Sequence, residues 1–135
     1  MTPEDARRLE AFLKPSHIVV VATIGRTGMP HLTPNWYYYA NETLMISTTK
    51  ERIKYRNLTR DSRMSVCIYS EPRAQDYVTL WGHVNIRDDE SIWPDTRAIV
   101  GRYAPAQDVE ARLQQLRAQN RVILDFTPER MLFRA

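Results

Sequence analysis

The chain has 135 residues, 43% of them hydrophobic and 26% charged, with a formal net charge of +3. That length suits one domain with one core, residues 1–135, and interspersed charges at this hydrophobic content exclude a disordered chain. So modest a positive charge admits an anionic ligand without demanding nucleic acid.

The single cysteine, Cys67, rules out an internal disulfide and fits a reducing compartment. The opening "MTPEDARRLE" is charged, lacks an apolar core and does not read as a signal peptide. No apolar run approaches the roughly 20 residues needed to span a bilayer. The expectation is a cytoplasmic protein that binds neither membrane nor nucleic acid.

In chain order, "TPEDARRLEAFLKP" predicts a helix. Thr2 caps it, Pro3 suits its first turn, and Glu4 and Asp5 suit the positive end of its dipole. Ala6, Leu9 and Leu13 share one face with Phe12 beside them, and Pro15 stops the helix. "HIVVVATIG" is a β-branched run, expected as a strand buried on both faces. "GRTGMP" is a turn. "HLTPNWYYYA" reads as one further strand, with Leu32, Pro34, Trp36 and Tyr38 on one face and His31, Thr33, Asn35, Tyr37 and Tyr39 on the other. Pro34 has no amide hydrogen, which points to an edge or a bulge there. After the "NET" turn, "TLMISTT" is the third strand.

A short helix follows, with Ile53 and Leu58 as its expected apolar anchors. "RMSVCIYS" alternates Met64, Val66 and Ile68 against Ser65, Cys67 and Tyr69. "DYVTLWGHVNI" sets Val78, Leu80, Val84 and Ile86 against Tyr77, Thr79, Trp81, His83 and Asn85. "WPDTRAIVGRYA" and "PAQDVEARLQQLRAQN" predict two helices, the second with Val109, Leu113 and Leu116 on a stripe. "RVILDFTPERMLFRA" closes the chain as one or two strands. A mainly β chain of about six antiparallel strands, with few flanking helices, removes its edges most economically by closing into a small barrel.

Strong enzyme motifs are missing from the sequence: there is no CxxC, HExxH, GxSxG, Walker loop or GxGxxG. His17, His31 and His83 lack metal-ligand spacing, so no metal is expected. Cys67 reads as a small buried hydrophobe, and Asp88–Asp89 as part of a loop or cap. What remains is a strand–helix junction. Ser47 and Thr48 end a strand, and Arg52 and Lys54 lie just inside the next helix. Hydroxyls, free helix amides and two cations suit a dianionic phosphate. The same residues also suit a solvated basic helix end, and spacing alone leaves both readings open. The aromatic faces, with Asn35, Tyr37 and Tyr39, with Trp36, or with Tyr77, Thr79 and Trp81, fit a ring-binding wall or a subunit interface.

The ordered combination of Gly28 to Pro30, Pro34 to Trp36, Ser47 to Thr49, Arg52 to Lys54, Arg56 to Leu58 and Asp61 to Arg63 resembles the pyridoxamine 5′-phosphate oxidase-like split-barrel flavoproteins. Within them it is most similar to the small deazaflavin (coenzyme F420)-dependent reductases. The resemblance covers residues 16 to 70 well, with weaker support from "YVTLWGHVNI" and "RVILDFTPERML". It implies a six-stranded antiparallel split β-barrel and a homodimer with cofactor sites at the interface. It implies an oxidoreductase that moves hydride to or from a small organic substrate through coenzyme F420, or FMN.

By the same resemblance, Arg52 and Lys54 bind the cofactor phosphate, assisted by Ser47, Thr48 and Thr49. The strand through Thr33, Asn35, Trp36 and Tyr37 runs along the ring, and Tyr77, Thr79 and Trp81 contribute from the partner chain. Lys50, Arg56 and Arg60 would line a channel for the deazaflavin's glutamate tail. No catalytic side chain is implied. The strand "LTPNWY" and the chain end "MLFRA" lack the Arg-x-x-x-Lys pattern and C-terminal substrate residues of the family's pyridoxine phosphate oxidases, which argues against a vitamin B6 oxidase. Two other readings compete: a non-catalytic flavin- or haem-binding split barrel, and a nucleic-acid backbone contact through "KERIKYR".

Overall fold

In the computed structural model, which describes residues 1–134, seven strands form one antiparallel sheet flanked by four helices. The helix α1 (Pro3–Leu13) leads into β1 (Val19–Ile24), β2 (Pro30–Asn35), β3 (Tyr38–Ala40) and β4 (Thr43–Thr49). Then come α2 (Ile53–Arg60), β5 (Arg63–Tyr69) and β6 (Tyr77–Arg87). α3 (Ile92–Tyr103), a single 3-10 turn (Ala106–Asp108), α4 (Val109–Arg117) and β7 (Arg121–Arg134) complete the chain. The sheet order is β2-β1-β5-β6-β7-β4-β3.

β2 and β3 are therefore opposite edges of the sheet, yet only Trp36 and Tyr37 separate them in sequence. So short a link spans roughly 10 Å at most. The sheet has to curl until its two edges nearly meet, which bears out the barrel and the mainly β character. The reading of "HLTPNWYYYA" as one strand is corrected here, and with it the count of six strands. The ladder is interrupted at Trp36 and Tyr37, although the alternation continues, and the Tyr37 side chain enters the core, at 0% exposure. Its hydroxyl is shared between the carbonyls of Leu13 and Pro15, both at 2.9 Å. Its amide donates to the Tyr103 hydroxyl at 3.3 Å, where a ladder partner would otherwise sit. Trp36 leaves on the other side and stacks on Tyr103 at 4.9 Å.

The barrel interior is filled from alternate strand positions such as Val21, Val66, Leu80, Leu124 and Phe126, closed by Leu9 and Leu13 of α1. The Thr2 cap holds as expected. Its hydroxyl accepts from the Asp5 amide, and the Asp5 carboxylate accepts from the Thr2 amide, both at 3.0 Å. A second core of Met45, Ile92, Ile99 and Ile123 seats α3 on the outer face of β4 and β7. α4 packs on α3 through Val100, Leu113 and Leu116.

The outer face of β1, β5 and β6 has no helix over it. Val20, Ala22, Ser65, Cys67 and Thr79 there are only partly covered, and Leu32 and Leu132 are 60% and 55% exposed. The first strand is thus buried on one face within the single chain, not on both, and Cys67 lies on the open side instead of in the core.

α2 also departs from expectation. Its buried stripe is Lys54, Asn57 and Leu58, an i, i+3, i+4 set. Ile53 falls off that stripe and is 52% exposed. Asn57 anchors the helix by donating to the buried Thr23 hydroxyl at 3.0 Å. β7 is a single long strand whose pairing with β6 slips between Trp81 and Gly82. Gly82 is required there, because a Cβ would lie 2.0 Å from the Thr127 carbonyl oxygen.

Two stability predictions follow from these packing details. Tyr37→Phe should lower the unfolding free energy by about 1–2 kcal/mol in chemical denaturation. The loss stays small because Arg102 Nη2 also donates to the Leu13 and Pro15 carbonyls, at 3.2 and 3.1 Å. Gly82→Ala should cost more than Tyr37→Phe, since the opposing atom is backbone; equal stability of Gly82→Ala and wild type would contradict the close approach.

Candidate cofactor site

The site begins where β4 runs into α2. Ser47 and Thr49 project from the outer face of β4, whereas Thr48 follows Leu44 and Ile46 on the inner face. Arg52 occupies the N-cap of α2 and makes no side-chain cap, so the first amides of that helix lack a side-chain acceptor. Lys54, in the first turn, is only 6% exposed. Among the described residues no carboxylate lies within ion-pair distance of it. Burial first, then Arg52 and Arg121, pull its pKa down from the ordinary lysine value to about 8.

Asn35 reaches Lys54 from β2. With its amide turned to satisfy both ends, its oxygen accepts from Lys54 Nζ at 3.3 Å, and its nitrogen donates to the Thr33 hydroxyl and the Pro34 carbonyl, both at 3.2 Å. Arg121 arrives from β7, which pairs with β4 so that Arg121 lies opposite Thr49. Its Nη1 donates to the Ser47 hydroxyl at 3.4 Å. Burial, Arg52 and Arg112 lower its pKa. Arg112, on α4, sits over the Trp36 ring at 5.7 Å. Between these groups lies a cavity of about 190 Å³, lined by Asn35, Trp36, Ser47, Arg112 and Arg121 over an apolar floor.

Four cations, Arg52, Lys54, Arg112 and Arg121, thus share one region, and none has an acidic partner among the described residues. Carboxylates hold other cations in the fold, among them Lys50 with Asp88 at 3.3 Å, Arg63 with Asp61 at 2.7 Å, and Arg87 with Asp125 at 3.0 Å. Like charges gathered in a partly dry pocket raise one another's free energy, and an anion with several acceptor oxygens relieves this.

Of the residues expected at the site, Thr33, Asn35, Ser47, Thr49, Arg52 and Lys54 come together. Thr48 lies on the inner face of β4 and is 3% exposed. Tyr37 is buried, and its hydroxyl and amide are already bonded within the chain. Trp36 has Tyr103 on one face and Arg112 near its ring, so it is no free stacking wall. Tyr77, Thr79 and Trp81 lie together on the open sheet face, where a cavity of about 400 Å³ runs past Trp81, Ser65 and Arg130.

The expected tail channel is only partly free. Lys50 is held by Asp88, and Arg60 donates to the Arg56 carbonyl and to Asn57 Oδ1. Arg112 and Arg121 had no signal in the local sequence, because only the β4–β7 pairing and the α3–α4 fold-back bring them here. Among the described residues no cluster of three His, Cys, Asp or Glu side chains could hold a metal.

The buried Lys54 generates a stability prediction. Its charged form is disfavoured in the fold, so the penalty is full below about pH 8. It vanishes as pH rises toward the ordinary lysine value, where the unfolded chain also loses the proton. Lys54→Met should therefore be more stable than wild type below about pH 8, by up to roughly 3 kcal/mol. The gap should close between about pH 8 and 10.5 in denaturant titrations across pH; a gap that widens there would contradict the assignment.

The sequence matches the family model described as pyridoxamine 5′-phosphate oxidase over residues 6–135. A search of curated proteins finds no match. Among solved structures, a conserved hypothetical protein from Mycobacterium tuberculosis is similar with a TM-score of 0.82 and 22% identity, covering 99% of this chain and 84% of that one. An F420 reductase is similar with a TM-score of 0.72 and 22% identity, covering 91% and 94%. A heme storage protein from Vibrio cholerae is similar with a TM-score of 0.74 and 17% identity, covering 95% and 93%. These structures share the curled antiparallel sheet with flanking helices, and the family model spans nearly all of the sequence. The chain belongs to the pyridoxamine 5′-phosphate oxidase family of split barrels.

Proposed function

We propose that the protein is an oxidoreductase that holds a phosphate-bearing flavin-type cofactor, coenzyme F420 in preference to FMN, and acts on a small organic substrate. One observation carries this reading: a nearly buried lysine, with Arg52 close by, has no carboxylate partner among the described residues. The residues fit a phosphate. Lys54 and Arg52 supply charge, Ser47 and Thr49 supply hydroxyls, and the start of α2 supplies amides. Asn35 and Thr33 orient the Lys54 ammonium. The bound cofactor would supply the hydride chemistry, and the chain supplies position and electrostatics. No side chain is assigned as acid or nucleophile.

A homodimer belongs to the same proposal. The open face of β1, β5 and β6 presents Leu32, Leu132 and Trp81, the last 39% exposed. Covering that face with a second copy would remove apolar surface from water. It would also bring Tyr77, Thr79 and Trp81 toward the neighbour's site. A cytoplasmic location is part of the reading. No helix is long and apolar enough to cross a membrane, and a lone cysteine suits a reducing compartment.

A second reading rests on a different residue. His83 stands on the open face with Nδ1 bonded to Glu129, which leaves Nε2 free as an axial ligand for haem. Similar folds include a heme storage protein. Hemin titration of wild type and His83→Ala separates the readings: tight hemin binding lost in the variant, with no flavin or deazaflavin affinity, would replace the oxidoreductase proposal.

The primary test is equilibrium binding of both cofactors to the apo-protein. Coenzyme F420 should bind more tightly than FMN; tight FMN binding without F420 affinity would reverse the preference. Lys54→Ala should raise the dissociation constant about tenfold or more. Wild-type affinity should fall by up to about tenfold per pH unit above about pH 8, as free Lys54 loses its proton. A flat pH profile across that range would remove Lys54 from the phosphate cradle.

A further inference from the structure

We propose that Arg112 and Arg121 form a second anion station, separate from the Lys54–Arg52 phosphate cradle, that grips a carboxylate on the tail of the bound cofactor and sets the preference for a multiply acidic ligand. The proposal rests on the cofactor reading above and assigns two residues that no local motif singles out.

The geometry comes from three elements. Arg121 on β7 is held by Gln119 Oε1 at Nε, at 2.9 Å, and by the Ser47 hydroxyl at Nη1, at 3.4 Å. Its Nη2 has no hydrogen-bond partner among the described residues. The guanidinium is thus fixed in orientation with donor capacity to spare, the condition in which arginine takes a carboxylate in a two-pronged contact. Arg112 on α4 has no ion pair or hydrogen bond among the described residues and rests over Trp36. The cavity between them, about 190 Å³, has a floor of Ile99, Val100 and Leu116. An apolar floor strengthens any charge pairing above it.

Two other arginines of this helical pair are engaged. Arg97 of α3 pairs with Glu110 of α4, and Arg117 lies over Trp93 at 4.4 Å. Arg112 and Arg121 have no carboxylate partner among the described residues and both line the cavity. Asn35 lines the cavity and also reaches Lys54, so it stands between the two stations. A ligand with one phosphate, such as FMN, satisfies the Lys54 side alone. A ligand with a phosphate and tail carboxylates satisfies both. Lys50 and Arg60, nearer in sequence to the cradle, are held by protein partners and are poorer candidates for that tail.

The test compares FMN with coenzyme F420 carrying its glutamate tail, on wild type, Arg112→Gln, Arg121→Gln and Lys54→Ala, each checked for folding by circular dichroism. Each arginine variant should weaken F420 binding about tenfold while changing FMN binding less than about threefold, and Lys54→Ala should weaken both. Equal weakening of both cofactors by the arginine variants would merge the two stations into one cradle and overturn the proposal. So would unchanged F420 affinity.

A second measurement does not depend on either cofactor. Inorganic phosphate titrated into the apo-protein should change the Trp36 contribution to fluorescence, defined against Trp36→Phe. The change should persist in Lys54→Ala and disappear in the Arg112→Gln/Arg121→Gln double variant. That outcome would sustain the station even if neither cofactor bound; the opposite pattern would overturn the station while leaving the cofactor reading to its own test.

Discussion

The two-residue link between β2 and β3 is the constraint on which the rest of the molecule depends. A flat sheet of seven strands would hold its edge strands far apart, yet Trp36 and Tyr37 alone connect them. Closure is enforced by a side chain and not by ladder bonds. Tyr37 is sunk in the core, its hydroxyl tied to the chain after α1, its amide tied to Tyr103 at the end of α3, and Arg102 lies over its ring at 4.9 Å. One residue thereby connects the first helix, both sheet edges and the helical hairpin. The same closure brings Asn35, at the end of β2, within reach of Lys54 on α2 and beside Ser47 on β4.

The electrostatics of that corner follow from the closure. Lys54 is buried because α2 must present Asn57 and Leu58 to the barrel, and Lys54 shares their stripe. Its ammonium finds an amide oxygen but no carboxylate among the described residues, and Arg52 and Arg121 lie close enough to depress its pKa further. A fold selected for stability alone would pair or replace such a group. Retaining it unpaired makes sense as readiness for an anion, in the way that binding sites commonly hold strained or unsatisfied groups.

Much of this was legible in the sequence, and the failures have physical causes. The α1 cap, the alternation of β5 and β6 and the Leu113–Leu116 stripe follow from local rules that tertiary packing did not override. The Arg52–Lys54 pair beside Ser47 was legible because it is contiguous. The break at Trp36–Tyr37 was not, since alternating aromatic residues look like one strand whether they cross the barrel or continue along it. Ile53 was misplaced because an eight-residue helix has only one buried stripe, and its phase depends on where the helix begins. Arg112 and Arg121 lie beyond local reading. They join Ser47 only through a strand pairing 74 residues apart in sequence and a helical hairpin that packs back over the sheet.

The central claim is that burial disfavours the charged form of Lys54 and that a bound phosphate favours it. Proton linkage measures this directly. Calorimetric titration of the cofactor at about pH 8, in two buffers of different ionisation enthalpy, reports the protons exchanged on binding. Lys54 is about half-charged in the free protein at that pH, and a bound phosphate restores its charge, so the account predicts uptake of about half a proton per site, abolished in Lys54→Met. Binding heats that are identical in the two buffers would contradict it.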